Sequence, residues 1–169
     1  MTPTILATSF RPWLPHQPSN SSDDLLALLQ THPCGDVIVF LRQLPVDTDL
    51  ASREIDNAIR THQPRIVLCC GMAEQRRHLN LERYARNGGT TLATPLSLDD
   101  LVQPLPHTRI SHDAGTYVCN DTYYRLLHSI QRDKTNIHAL FIHVPILTAL
   151  NQVRLLSDLC TLVEALKNC

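Results

Sequence analysis

Three side chains in this sequence have the types and positions that acyl-transfer chemistry needs: the thiol of Cys119, the imidazole of His143 and the carboxylate of Glu82. Cys119 lies in SHDAGTYVCNDTYY, residues 111–124, where a strand-and-turn segment gives way to a helical pattern. A sulfur at such a junction sits beside unpaired backbone N–H groups and the positive end of a helix dipole, which favours the thiolate and lowers its pKa. The position suits a core cysteine equally well, because free cysteine is among the most buried residue types. A thiol nucleophile needs a base, and the base needs a group to hold it. Of nine histidines, His143 stands out because it ends the apolar run ALFIHV and is followed at once by Pro145, which stops the strand. Sites in open α/β sheets form beyond strand C-termini, although a hydrogen-bonded core histidine would fit there too. His107, His112, His128 and His138 read as surface residues, and the His138 to His143 spacing matches no metal motif. Glu82 sits in the strand-like segment LNLERYARN, where a buried carboxylate needs a cation. The imidazole, Arg76, Arg83 and Arg86 are the candidates.

Positioning these groups falls to short apolar runs alternating with helix-period segments, the pattern of an α/β fold. Residues 4–8 (TILAT), 36–41 (DVIVFL), 65–70 (RIVLCC) and 139–144 (ALFIHV) predict strands covered on both faces, at the sheet centre. SSDDLLALLQTH predicts a helix with a serine cap and acids in its first turn. DLASREIDNAIRTH predicts a second, with Ala51, Ile55, Ala58 and Ile59 on one face. Tyr123, Leu126, Leu127 and Ile130 predict a helix after Cys119, and Leu155, Leu156, Leu159, Leu162, Val163 and Leu166 another near the C-terminus. Residues 87–106, with two glycines and three prolines, read as loop with one short helical turn around LSLDDLV. No repeat or domain boundary interrupts the chain, so residues 1–169 are expected to form one domain.

Composition narrows the function further. With 169 residues, 43% hydrophobic and 18% charged, the chain can bury one real core. A net charge of -1 gives no electrostatic case for nucleic acid or an anionic membrane as partner. MTPTILATSF lacks the pattern of a secretion signal, and no stretch approaches 18 uninterrupted apolar residues, which predicts a soluble, non-secreted protein. The six cysteines include no CxxC pair, so neither a disulfide framework nor structural zinc is expected. Cys34, Cys69, Cys70, Cys160 and Cys169 therefore read as reduced, buried fillers in a cytoplasmic setting, with no metal and no cofactor.

Taken together the residues resemble the pyroglutamyl peptidase type I family, also called pyrrolidone-carboxylate peptidases. Family members carry glutamate in ERxAxN, cysteine in AGxYxCN and histidine in FIHVP, and here these are residues 82–87, 114–120 and 141–145 in the same order. The resemblance implies a three-layer α/β/α sandwich with a mostly parallel, mixed sheet of the phosphorylase/hydrolase-like kind. It implies a Cys-His-Glu triad in which Cys119 is nucleophile, His143 general base and acid, and Glu82 the orienting group. The turn ILATSFRPW is similar to the family's TGFxPF, so Phe10 and Trp13 are expected to wall the pyroglutamyl ring. Val46, in Leu44-Pro45-Val46, and Met72, in Cys70-Gly71-Met72-Ala73, fall at further family landmarks. Asn20 matches the family's NPS asparagine after a one-residue shift, and Tyr117 and Val118 complete the expected substrate-binding set.

The sequence also departs from the family. Leu14-Pro15 replaces a Gly-Gly pair, and GGTTLATPLSLDDLVQPLPHTR replaces a longer segment that includes a DARIPDN-like motif with an arginine. The part after HVP is short as well, so the resemblance is to a shortened member. The implied activity is removal of N-terminal pyroglutamate (5-oxoproline) from peptides, in a chain whose homo-oligomeric state the sequence leaves open. The alternatives are hydrolysis of another small amide, or a binding role on a scaffold with a trimmed lid.

Overall fold

The computed structural model describes residues 5–168. Its strands are β1 (Ile5–Phe10), β2 (Ile38–Leu44), β3 (Ile66–Met72), β4 (Leu79–Glu82), β5 (Tyr84–Asn87), β6 (Thr90–Ala93), β7 (Thr108–Ser111) and β8 (His138–Val144). Its helices are α1 (Ser21–Gln30), α2 (Thr48–His62), α3 (Leu98–Val102), α4 (Val118–Asp133) and α5 (Gln152–Lys167). Six strands form one sheet in the order β2-β1-β3-β8-β4-β7. The first four run parallel, β4 pairs antiparallel to β8, and β7 runs parallel to β4. The sheet is therefore mixed and mostly parallel.

Strand pleating sorts the core into two layers, since successive side chains point to opposite faces. Ile5 and Ala7, Ile66, Leu68 and Cys70, and Leu140, Ile142 and Val144 pack with α1, α3 and α5. Leu6 and Phe10, Val67 and Cys69, and Ala139 and Phe141 pack with α2 and α4 on the other side. The result is the α/β/α sandwich. The adjacent Cys69 and Cys70 belong to different layers for this reason, and neither is in a disulfide.

Several expectations need correction. Thr4, at the head of the first predicted strand, and Cys169 lie outside the described residues. β2 is an edge strand rather than a central one, and its middle residues are only half-buried. Asn20, not a serine, caps α1, accepting from the Ser22 N–H at 3.0 Å. Of the first-turn acids, Asp23 is drawn into a buried network with Ser9 at 2.6 Å, Arg42 at 2.8 Å and Gln43 at 3.0 Å. Burial opposes its charge, but hydrogen bonds from Arg42, Ser9 and Gln43 hold the carboxyl below its ordinary range. The segment 87–106 is more ordered than a loop. Asn87-Gly88-Gly89-Thr90 closes a hairpin of β5 and β6, with φ of 52° and 85° at the two glycines, as a tight two-residue turn requires. α3 follows it.

Cys34 and Cys160 are joined in a disulfide that ties the turn Pro33–Gly35 to α5 across 126 residues of sequence. They are not reduced, buried fillers, because α1 and α5 share one layer and bring the two half-buried thiols together. Among the described residues no helix is long and apolar enough to cross a membrane.

Candidate active site

The strand register brings Glu82, Gly71 and His143 to one face of the sheet. Gly71 on β3 pairs with His143 on β8, and Glu82 on β4 pairs with Phe141 on β8. Paired residues share a face, and so do residues two apart on a strand. Glu82, Phe141 and His143 must therefore project together, toward the α2 and α4 layer. His143 Nδ1 lies 2.7 Å from Glu82 Oε1, with the glutamate fully buried and the histidine 6% exposed. The second carboxylate oxygen, Oε2, is buried with no hydrogen-bond partner, so the imidazole is this group's polar contact.

The three arginines that could have taken Glu82 are engaged elsewhere. Arg83 pairs with Asp99 at 2.7 Å, Arg86 donates to the His112 carbonyl at 2.7 Å, and Arg76 reaches the Asp113 carbonyl at 3.1 Å.

Cys119 is the second residue of α4, so its N–H and those of its neighbours in the first helical turn have no acceptor within the helix. Its sulfur rests over the bare Cα of Gly71: a Cβ added there would lie 2.6 Å from Sγ and 2.8 Å from Cζ of Phe141. The Phe141 ring in turn leans on the His143 ring, with centroids 5.0 Å apart. Gly71 is thus the point where strand, thiol and the Phe141 ring meet, with the imidazole on the far side of that ring contact. Two side chains of α4 fix the start of that helix. Asn120 donates from Nδ2 to the Arg86 carbonyl at 2.8 Å and accepts from the Arg86 N–H at 2.9 Å. One turn after Cys119, the Tyr123 hydroxyl donates to the Glu82 carbonyl at 3.1 Å.

Enclosure changes the thiol chemistry expected from position alone. Burial pushes the Cys119 thiol up to about 12, and the nearby Cys69 and Glu82 add to the rise; a hydrogen bond from its own backbone N–H opposes it without prevailing. The lowered pKa expected from the helix start is therefore not what this structure gives. The sulfur is turned under the helix onto Gly71 and Phe141, where losing water outweighs the helix end. At neutral pH it is a thiol.

Beside the sulfur is a cavity of about 80 Å³ with mainly apolar walls. Phe10, Trp13, Val46 and Met72 line it from the sheet side and its loops, and Tyr117 and Val118 from the start of α4. Asn20 also reaches it, while its amide caps α1 and donates to the Arg11 carbonyl at 3.2 Å. Phe10 is buried, whereas Trp13 and Tyr117 are 44% and 82% exposed, which makes them rim rather than floor. A larger groove of about 380 Å³ between α2 and α4 contains none of the three chemical groups.

Sequence reasoning missed Gly71 as a spacing element, Asn120 and Tyr123 as anchors, and Phe141 as the surface under the thiol. Gly71, Asn120 and Phe141 lie inside quoted motifs and Tyr123 on a predicted helix face, but their roles are visible only once register and helix placement are known.

Comparison with known proteins agrees with this arrangement of strands and helices. The pyroglutamyl peptidase family profile matches residues 3–92 and 101–159. The chain is 28% identical to a pyrrolidone-carboxylate peptidase of Bacillus licheniformis, over 85% of this chain and 78% of that protein. It is 28% identical to one from Cupriavidus taiwanensis, over 86% and 79%. Among solved structures, pyroglutamyl peptidase I of Bacillus amyloliquefaciens superposes with a TM-score of 0.85 at 23% identity, covering 99% of this chain and 96% of that one. Pyrrolidone carboxyl peptidase of Thermococcus litoralis gives 0.79 at 20% identity, covering 95% and 91%.

Proposed function

As the chain belongs to the pyroglutamyl peptidase family, we propose that it is a cysteine peptidase that removes N-terminal pyroglutamate from peptides. The observation that carries the reading is the buried Glu82 to His143 hydrogen bond beside a thiol seated over Gly71, the residue paired with His143. His143 Nδ1 faces Glu82, which leaves Nε2 for the reaction. Because Cys119 is a neutral thiol, His143 takes its proton as the sulfur attacks the pyroglutamyl carbonyl, rather than beforehand. The carbon–sulfur bond forms and the oxyanion is held by free N–H groups at the start of α4. His143 then gives its proton to the leaving amine, and a water deprotonated by His143 releases pyroglutamate from the thioester.

The small cavity beside the sulfur suits a flat five-membered ring better than a long side chain. Phe10, Val46 and Met72 would pack its faces, with Trp13, Tyr117 and Val118 closing the rim and Asn20 supplying a polar group. The chain would act as one domain, because the groups in these roles are drawn from residues 10 to 143. A working thiol suits the reducing cytoplasm. Hydrolysis of a fluorogenic pyroglutamyl amide beside a panel of other aminoacyl amides tests the proposal. Turnover confined to the pyroglutamyl substrate and lost in Cys119→Ala is the expected result; equal turnover across the panel points to another amide, and none at all to a binding protein.

A further inference from the structure

We propose that His32, Cys34 and Cys160, once the two cysteines are reduced, form a binding site for a soft divalent cation of the zinc class. The site is independent of the Cys119 centre. Cys34 and Cys160 pack against the α1 and α5 layer, whereas Cys119 packs against the layer on the other side of the sheet. Their donor atoms all lie within 4.8 Å of one another. His32 Nδ1 is 3.2 Å from the Cys34 sulfur and 3.4 Å from the Cys160 sulfur. The Cys34 N–H donates to the same Nδ1 at 3.3 Å, so this is the unprotonated ring nitrogen, and a bound ion would take over the lone pair now given to that N–H.

In the disulfide the Nδ1 lone pair serves only the long bond from the Cys34 N–H, and the two sulfurs beside it bind nothing. A cation among the three exchanges that one bond for three metal–ligand bonds. Reduction breaks the S–S bond by adding two electrons and two protons, after which the sulfurs must part to van der Waals contact, roughly 3.6 Å. A tetrahedral zinc with ordinary Zn–S and Zn–N bonds asks for S···S near ~3.8 Å and S···N near ~3.5 Å. The nitrogen already stands close to that distance from both sulfurs, and reduction moves the sulfurs toward theirs. Binding then displaces the two thiol protons, leaving two thiolates and a neutral imidazole whose charge cancels that of the ion. His32 is exposed, so the fourth position opens to water. Short-range motif reading overlooks the site because its third ligand lies 126 residues from the second.

The full chain, reduced with a phosphine that is itself oxidised to the phosphine oxide with oxygen from water, is titrated without air with Co²⁺ as spectroscopic probe and Zn²⁺ as competitor. One cobalt per chain, thiolate-to-cobalt charge-transfer bands and tetrahedral ligand-field bands are expected, all erased by zinc. Cys34→Ser and Cys160→Ser should each remove about half the charge-transfer intensity. His32→Ala, at an exposed position, should weaken binding about tenfold or more, since even outer-shell losses cost that much. Cys119→Ser should leave the spectrum intact. Absence of thiolate bands in the reduced chain, or bands of undiminished intensity in either Cys34→Ser or Cys160→Ser, overturns the proposal. So does re-formation of the disulfide at the same rate with and without excess Zn²⁺ once the phosphine is removed and air admitted as oxidant, which would reduce the trio to a cross-link.

Discussion

The sulfur of Cys119 occupies the space that a side chain on Gly71 would fill, with a Cβ there only 2.6 Å from it. Gly71→Ala must displace either the thiol or the Phe141 ring beneath it. Overpacking of this kind costs about 1–3 kcal/mol of stability. The larger effect should fall on kcat, at least ~100-fold, because misplacing a reacting group by about 1 Å can cost that much. A Gly71→Ala enzyme with wild-type kcat would remove Gly71 from the account of the site.

His143→Ala should abolish turnover, while Glu82→Gln should retain a reduced but measurable kcat, lower by something on the order of 10³-fold. The amide can still meet Nδ1, but it no longer fixes the tautomer or offsets the imidazolium that forms. Steady-state kinetics of both variants decides the matter, and wild-type rates in His143→Ala would require a different base.

Proton loss from the enclosed thiols sets the alkaline behaviour. Burial raises Cys69 from 9.0 to about 11 and Cys119 from 9.0 to about 12, and it raises Cys70 further. Between the unfolded and folded values the folded chain holds more protons than the unfolded one. Stability from these groups is therefore complete below pH 9.0 and drains away as the pH climbs toward their folded values. Thermal melts should fall steadily from pH 9 to 11. Iodoacetamide alkylation of Cys119 should rise with pH through the same range, and a plateau already reached at pH 6 to 7 would reveal a preformed thiolate instead.

Phe10 and Trp13 should part company on truncation. Phe10 is 3% exposed within the core, so Phe10→Ala is expected to cost roughly 3–5 kcal/mol as well as activity. Trp13 is 44% exposed at the cavity rim, so Trp13→Ala should leave the melt nearly unchanged and lower kcat/KM for pyroglutamyl substrates. Melts run beside Michaelis curves separate the two, and unchanged kinetics in Trp13→Ala would take this residue out of the pocket.

The strands β1, β3 and β8 could be read from the sequence because each is buried on both faces and so forms an unbroken apolar run. β7 was hidden by its edge position: Thr108-Arg109-Ile110-Ser111 has one half-buried apolar residue in four. The hairpin of β5 and β6 was hidden by two largely exposed strands, although Gly88-Gly89 is an ordinary two-residue turn signal. Glu82 could be named as a candidate because charge inside an apolar strand is costly, and His143 because it ends a buried strand where sites in open α/β sheets form. Their contact could not be derived, since it depends on β4 running antiparallel to β8, a choice that no local pattern encodes. The thiol's protonation failed for a similar reason: a helix start is visible in sequence, but the enclosure of the sulfur comes from β3 and β8, far away along the chain.

Asn120 closes a two-bond ring with the backbone of Arg86, so the first turn of α4 is fastened to a hairpin that lies outside the main sheet. The hairpin and the nucleophile's helix turn then share one local opening equilibrium, and a fluctuation that frays β5 frees the helix start as well. Deuterium should enter the Arg86 amide and the first α4 amides at linked rates. Weakening the Gly88-Gly89 turn would lower the fraction of molecules with Cys119 in register, without touching any group that meets the substrate.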